Sequence, residues 1–234
     1  MKKWILPALA CGLFAFPVSS QVSEEEILLL KRLDSIQQGN SPAKYFAALY
    51  FETTVMAAEF FEYREPGVKK FIQRLECRFA GFFFHSVDAY GRGNPVPAVW
   101  KAYYADSLLS IFQYQLLGIN AHINGDIWQA LTAEFTLEEL QEHRKTYLDF
   151  QKGLINIYRR FYESSVNNHP ATRMLQSVTL GLDKLYGRMM LAKWRKRQLN
   201  LAVLYHTDQA RFQKKLDKLH RKMGRLNNMV LRHL

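Results

Sequence analysis

The chain has 234 residues, and its 32 Lys+Arg against 21 Asp+Glu are unevenly spread. Residues 183–234 hold 14 basic and 3 acidic side chains, a net of +11, while residues 21–182 hold 16 and 18, a net of −2, so an anionic partner is expected at the C-terminal quarter: membrane surface, nucleic acid or acidic polymer. After Cys11 only Cys77 remains, which excludes an intrachain disulfide framework, and charges interrupt every later apolar run before the roughly 18 residues a membrane-spanning helix needs.

In chain order, Lys2 and Lys3, the apolar stretch Trp4 to Phe16 and the small residues Val18-Ser19-Ser20 predict an export signal, residues 1–20, cleaved before Gln21. Ala8-Leu9-Ala10-Cys11 is a lipoprotein alternative, weakened by the apolar Gly12 to Val18 that follow the cysteine. The mature chain, residues 21–234, is expected in the periplasm or outside the cell as a single all-α domain, long enough to bury a core without staples. The capping box Ser23/Glu26 opens a predicted helix over residues 23–38, ended by Gly39-Asn40-Ser41-Pro42. A second helix runs from Pro42 to the break at Pro66-Gly67, and a third from about Val68 to Tyr90, before the loop Gly91 to Pro97. The spacing predicts a central helix from Pro97 or Ala98, with Gly118 and Gly125 as points of bending or close backbone approach. Thr136/Glu139 caps a helix reaching Tyr158, Asn167 to Pro170 closes it, and a long helix starts near Ala171. β-branched alternation is absent, so the class is an all-α bundle of six to seven helices around a buried central one.

The last helix, residues 207–234, spaces Phe212, Leu216, Leu219, Met223, Leu226, Val230 and His233 alternately by four and three. Such a seam fits either a short coiled coil or docking of a narrow stripe on the same domain, and it makes this helix the weakest-held part. Lys214, Lys215, Lys218, Arg221, Lys222 and Arg225 crowd its flanks, a surface suited to anionic membrane or another acidic partner.

Chemistry concentrates in residues 115–129. Gln115, His122, Asp126 and Gln129 follow at offsets of seven, four and three along one helical face, with Asp106, Gln113, Asn120 and Asn124 on nearly the opposite one. A His and an Asp one turn apart can share a metal ion or act as an acid–base pair, and they can equally be two members of a buried hydrogen-bond network. Further ligands would come from His85 with Asp88, or from Glu52 or Glu59, a carboxylate-rich set suiting a divalent metal such as Zn, Mn or Fe. Apolar neighbours mark Cys77 as a buried thiol, and Lys193-Trp194-Arg195-Lys196-Arg197 could hold an anionic group but reads first as a solvated basic turn. There is no Gly-rich phosphate loop, G-x-S-x-G, H-E-x-x-H, paired-cysteine spacing or specific nucleic-acid motif.

The stretch Gly118-Ile119-Asn120-Ala121-His122-Ile123-Asn124-Gly125-Asp126 resembles the G-x-N-A-H-I-N-x-D signature of an all-helical bacterial family known only as a domain of unknown function. Tyr45-Phe46, Leu49-Tyr50, Thr53 and Pro97-Ala98-Val99-Trp100 agree with it. The resemblance covers most of the mature chain and implies the fold class without an activity. Residues 122–131 are also similar to the H-x-x-G-D-I/V-H-Q-P-L-H segment of zinc-dependent phospholipase C and P1-type nucleases, which implies His122 and Asp126 as zinc ligands. Trp128, Ala130 and Thr132 stand where that segment has His, Pro and His, and the predicted N-terminus is Gln21 where those families use a ligating Trp, so the similarity implies a reduced site. Two functions follow: a divergent metal-dependent hydrolase of phosphoester or lipid-like substrates using His122 and Asp126, or a non-catalytic envelope binding or structural protein with a polar core and a basic contact helix.

Overall fold

The computed structural model describes residues 24–61, 64–106, 108–150 and 182–233, and all regular structure among them is helical, gathered into one all-α bundle. The export segment and the Ser23 cap lie outside the described residues, as do the expected breaks at Asn167 to Pro170 and Ala171.

Helix α1 (Glu24–Gln37) begins with three glutamates, the charge its N-terminal dipole favours, and buries Leu29 and Leu33 against α2 (Ala43–Phe61). Helix α3 (Pro66–Gly91) starts two residues before the expected Val68, because Pro66 suits a first turn whose N–H needs no partner. Its Phe71, Ile72, Leu75, Phe79 and Phe83, spaced by one to four residues, form the face that meets the central helix. Gly93 then takes φ 69°, a left-handed conformation that costs glycine nothing.

The central helix does not start at Pro97 or Ala98. Ala98–Trp100 is one 3₁₀ turn, further turns follow, and α4 (Ile111–Ile119) begins only after Ser110. Ser110 Oγ accepts from Gln113 N at 3.2 Å and Gln113 Oε1 accepts from Ser110 N at 2.9 Å, a capping box that opens a new helix. The turns are pinned by Tyr103 Oη donating to Pro42 O and Tyr114 Oη donating to Asp106 O, each at 2.8 Å, which lets Trp100 and Tyr103 point into the core. From α4 the chain passes into a π-helix, Asn120–Asp126, and on into α5 (Ile127–Glu134). The expected close approaches are there: the backbone at Gly118 lies against Phe46, and that at Gly125 against Val99.

The Thr136/Glu139 box caps α6 (Leu137–Glu142), which turns at His143 and resumes over residues 144–150 instead of running on unbroken. Helices α7 (Leu182–Thr207) and α8 (Gln209–His233) form a hairpin about Asp208, whose Oδ1 accepts from Arg211 N. The α8 seam docks on the bundle: Phe212, Leu216, Leu219, Met223 and Val230 are buried, the first four in a cluster with Leu201 that also takes Trp128 and Val99. Among the described residues no helix is long and apolar enough to cross a membrane.

Candidate functional site

The π-helix is the part of the central rod that carries its polar residues inward. Asn120, His122, Asn124 and Asp126 are all buried, His122 and Asp126 with 2 % and 1 % of their surface exposed. Asp126 Oδ2 accepts from Trp100 Nε1 at 3.0 Å and is hydrogen-bonded to His122 Nδ1 at 2.9 Å. Nε2 has no partner among the described residues. The imidazole stacks on Phe79, centroids 3.5 Å apart and planes 10° apart, with Tyr50 and Phe46 edge-on at 4.7 and 5.4 Å. Burial holds His122 well below the usual histidine range, helped by the Arg195 charge, and holds Asp126 well above the usual carboxylate range against the opposing Trp100 bond. Both are driven toward their neutral forms.

The second polar stripe meets α8. Asn120 Nδ2 donates to Met223 O at 3.1 Å and to Asn227 Oδ1 at 2.7 Å, while Asn124 Nδ2 donates to Asn120 Oδ1 at 2.9 Å. Gln113 Nε2 donates to Val230 O at 3.1 Å. Two side chains of the central rod therefore satisfy α8 backbone carbonyls, and this helix is tied to the core more firmly than its narrow seam implies. Gln129 Nε2 donates to Gly125 O in the adjoining π-helix, and Gln115 Oε1 is buried without a partner among the described residues.

The structure does not bring His85 and Asp88 to His122 and Asp126. His85 is exposed on the outer face of α3, and Asp88 accepts from Arg32 Nη2 at 2.8 and 2.7 Å. Glu52 is exposed, and the side chain of Glu59 lies outside the described residues. Among the described residues no three His, Cys, Asp or Glu side chains gather as a metal site. The donor set at His122 does not fit a shared cation: Asp126 Oδ2 is already committed to Trp100 and His122, and the Arg195 cation acts on the same space.

Four members of this region escape the sequence reading: Tyr50, Glu76, Trp100 and Arg195. Arg195 is no solvated turn residue; it is 5 % exposed, its guanidinium lying 5.3 and 5.1 Å from the Tyr147 and Phe150 ring centroids, and its carbonyl accepts from Tyr147 Oη. Its spacing carried the signal, because Arg195, Gln198, Leu199 and Ala202 fall at i, i+3, i+4 and i+7 on one face. Tyr50 is held well above the usual phenol range by burial and then by the charge of Glu76. Glu76, one turn before Phe79 on α3, is pushed by burial up to about 7, against the attraction of Arg195.

That shift has a sign. Between its ordinary value of 4.5 and about 7 the folded chain keeps a Glu76 proton that the unfolded chain releases, so this contribution is present at low pH and is lost as pH rises through 7. Glu76→Gln should gain stability relative to the native protein between pH 5 and 8 by up to about 3 kcal/mol, at 1.36 kcal/mol per unit. Denaturant titrations of both proteins across that range check it, and parallel profiles would contradict it.

An open groove of about 680 Å³ between α1 and α3 is lined by Leu28, Cys77, Phe82 and three arginines. Each arginine is already paired: Arg32 with Asp88, Arg74 with Glu134 and Glu139, Arg78 with Glu134. Burial pushes the half-buried Cys77 thiol up to about 11, the opposite of an activated nucleophile.

No curated protein and no solved structure matches the chain. The model of DUF5995, a family of unknown function, matches residues 27–233, and the chain belongs to that family.

Proposed function

We propose that the protein is an exported, non-catalytic helical binding protein of the cell envelope, whose polar core holds the central rod in place and whose basic α7–α8 hairpin makes the contacts. One observation carries this reading. Lys214, Lys215, Lys218, Arg221, Lys222 and Arg225 are all exposed, and no described acidic side chain pairs with any of them. At 100° per residue the six fall within an arc of about 120° on one flank of α8, with Gln213, Asp217 and His220 on the other. Lys193 and Arg197 of α7 extend the field, for the Lys222 ammonium is pulled below its ordinary value by Arg197 first and also by Lys218, Lys193 and Arg225. So many like charges on one face repel one another, and an anionic partner relieves that repulsion.

The hydrolase reading rests on the similarity of residues 122–131 to the zinc phospholipase segment and on the free His122 Nε2. It is the weaker of the two, because the pair is sealed among aromatic rings and has no further ligand among the described residues.

The test is binding of inorganic polyphosphate by titration calorimetry to the native chain and to a Lys218→Gln/Lys222→Gln/Arg225→Gln variant. Binding that weakens with salt and falls in the variant supports the reading. No binding by the native chain, or equal binding by both, overturns it.

A further inference from the structure

The basic flank of α8 also carries an exposed apolar side chain, Met229, between Arg225 and the exposed Arg232. Lys215, Lys222 and Met229 follow at intervals of seven on one stripe, and Met229 is 49 % exposed. The Gln113 bond to Val230 O seats the first turn of α4 on the last turns of α8. At that junction Leu108 is 90 % exposed and Ile111 44 %. Leu108 is held outward by structure, since its N–H donates to Asp106 Oδ1 at 2.8 Å, and the Ser110 capping box fixes the chain just beyond it. Single exposed leucines are ordinary; a leucine, an isoleucine and a methionine exposed at the end of the molecule where the basic helix finishes are a different surface. An acidic polymer offers this face charge alone and nucleic acid adds bases that favour aromatic side chains, whereas an anionic bilayer offers charge and an apolar layer that suits aliphatic ones.

We propose that this end of the molecule is a membrane-docking face, in which Lys218, Lys222 and Arg225 meet the headgroups of an anionic phospholipid bilayer and Leu108, Ile111 and Met229 enter the acyl boundary. The proposal rests on the basic-hairpin reading given above and names its partner. Charge brings the protein to the surface, and the three apolar side chains supply the part of the attachment that salt does not screen. With no crossing helix among the described residues, such attachment is peripheral and reversible.

Co-sedimentation with phosphatidylglycerol-containing vesicles, beside pure phosphatidylcholine vesicles, tests it with the full chain. The native protein should bind the first and not the second. Lys218→Gln/Lys222→Gln/Arg225→Gln should weaken binding by roughly 100-fold, at about 1 kcal/mol per basic residue. Leu108→Ser/Ile111→Ser should weaken vesicle binding about tenfold or more and leave polyphosphate affinity unchanged. Vesicle binding that the Leu108→Ser/Ile111→Ser variant retains in full overturns the docking face. Polyphosphate binding without vesicle binding by the native chain also overturns it and leaves the basic-hairpin reading standing, with another anionic macromolecule as partner. Loss of both in the native chain sinks both.

Discussion

Gly118→Ala is expected to destabilise the fold by about 2 kcal/mol or more. The added Cβ would lie 2.4 Å from Phe46 Cδ2, 2.6 Å from Cγ and 3.0 Å from Cβ, all near the root of a rigid side chain. Phe46 cannot withdraw, because its ring is packed edge-on against Phe83, Trp100 and His122, with centroids 5.1 to 5.6 Å away. Overpacking a filled core costs about 1 to 3 kcal/mol and occasionally more, and this contact lies at the severe end, so alanine's helix-propensity advantage of about 1 kcal/mol offsets it only in part. Gly125→Ala would meet Val99 Cβ, Cγ1 and Cγ2 at 2.7, 2.8 and 2.9 Å, again at the root of a stiff side chain, so it too should cost about 1 to 3 kcal/mol and should appear as disturbance of the neighbouring Trp100 environment. Urea denaturation with near-ultraviolet circular dichroism checks both. Gly81→Ala, which meets nothing within 4 Å, is the control expected to be neutral or slightly stabilising. A Gly118→Ala protein as stable as the native one would mean that the rod and α2 do not pack as described.

The central rod shows what a sequence can and cannot disclose. The pairs His122/Asp126 and Asn120/Asn124 were legible because a four-residue offset keeps side chains neighbouring in the widened π-helix as in an α-helix. The late start of α4 was also written in the chain: Ser110 and Gln113 have capping-box spacing, and the pull of Pro97 toward a helix start outweighed it. Partners that are backbone atoms leave no mark in a sequence. Nothing in residue 223 being methionine announces that its carbonyl accepts from Asn120, a bond that spans 103 positions. Trp100 meets Asp126 across 26 positions through an indole N–H, and tryptophan in a core-facing turn reads first as packing. Arg195 shows the reverse fault, since a run of basic neighbours masked the helical face it shares with Leu199 and Ala202.

Asp126→Ala is the second large effect, and it bears on the central claim that the polar core is structural. One Asp126 oxygen is hydrogen-bonded to two buried groups, Trp100 Nε1 and His122 Nδ1, each within 3.0 Å. Truncation leaves both without that partner in surroundings that exclude water, and each buried group so orphaned costs about 1 to 3 kcal/mol. A loss of roughly 2 to 5 kcal/mol is therefore expected. A metal-site carboxylate would behave otherwise in metal-free protein, where close anionic ligands repel and removing one relieves the fold. The decisive measurement is the denaturant-unfolding free energy of chelator-treated native and Asp126→Ala proteins at one pH: the structural account predicts that the variant loses roughly 2 to 5 kcal/mol, and a variant as stable as the native protein, or more stable, would contradict it.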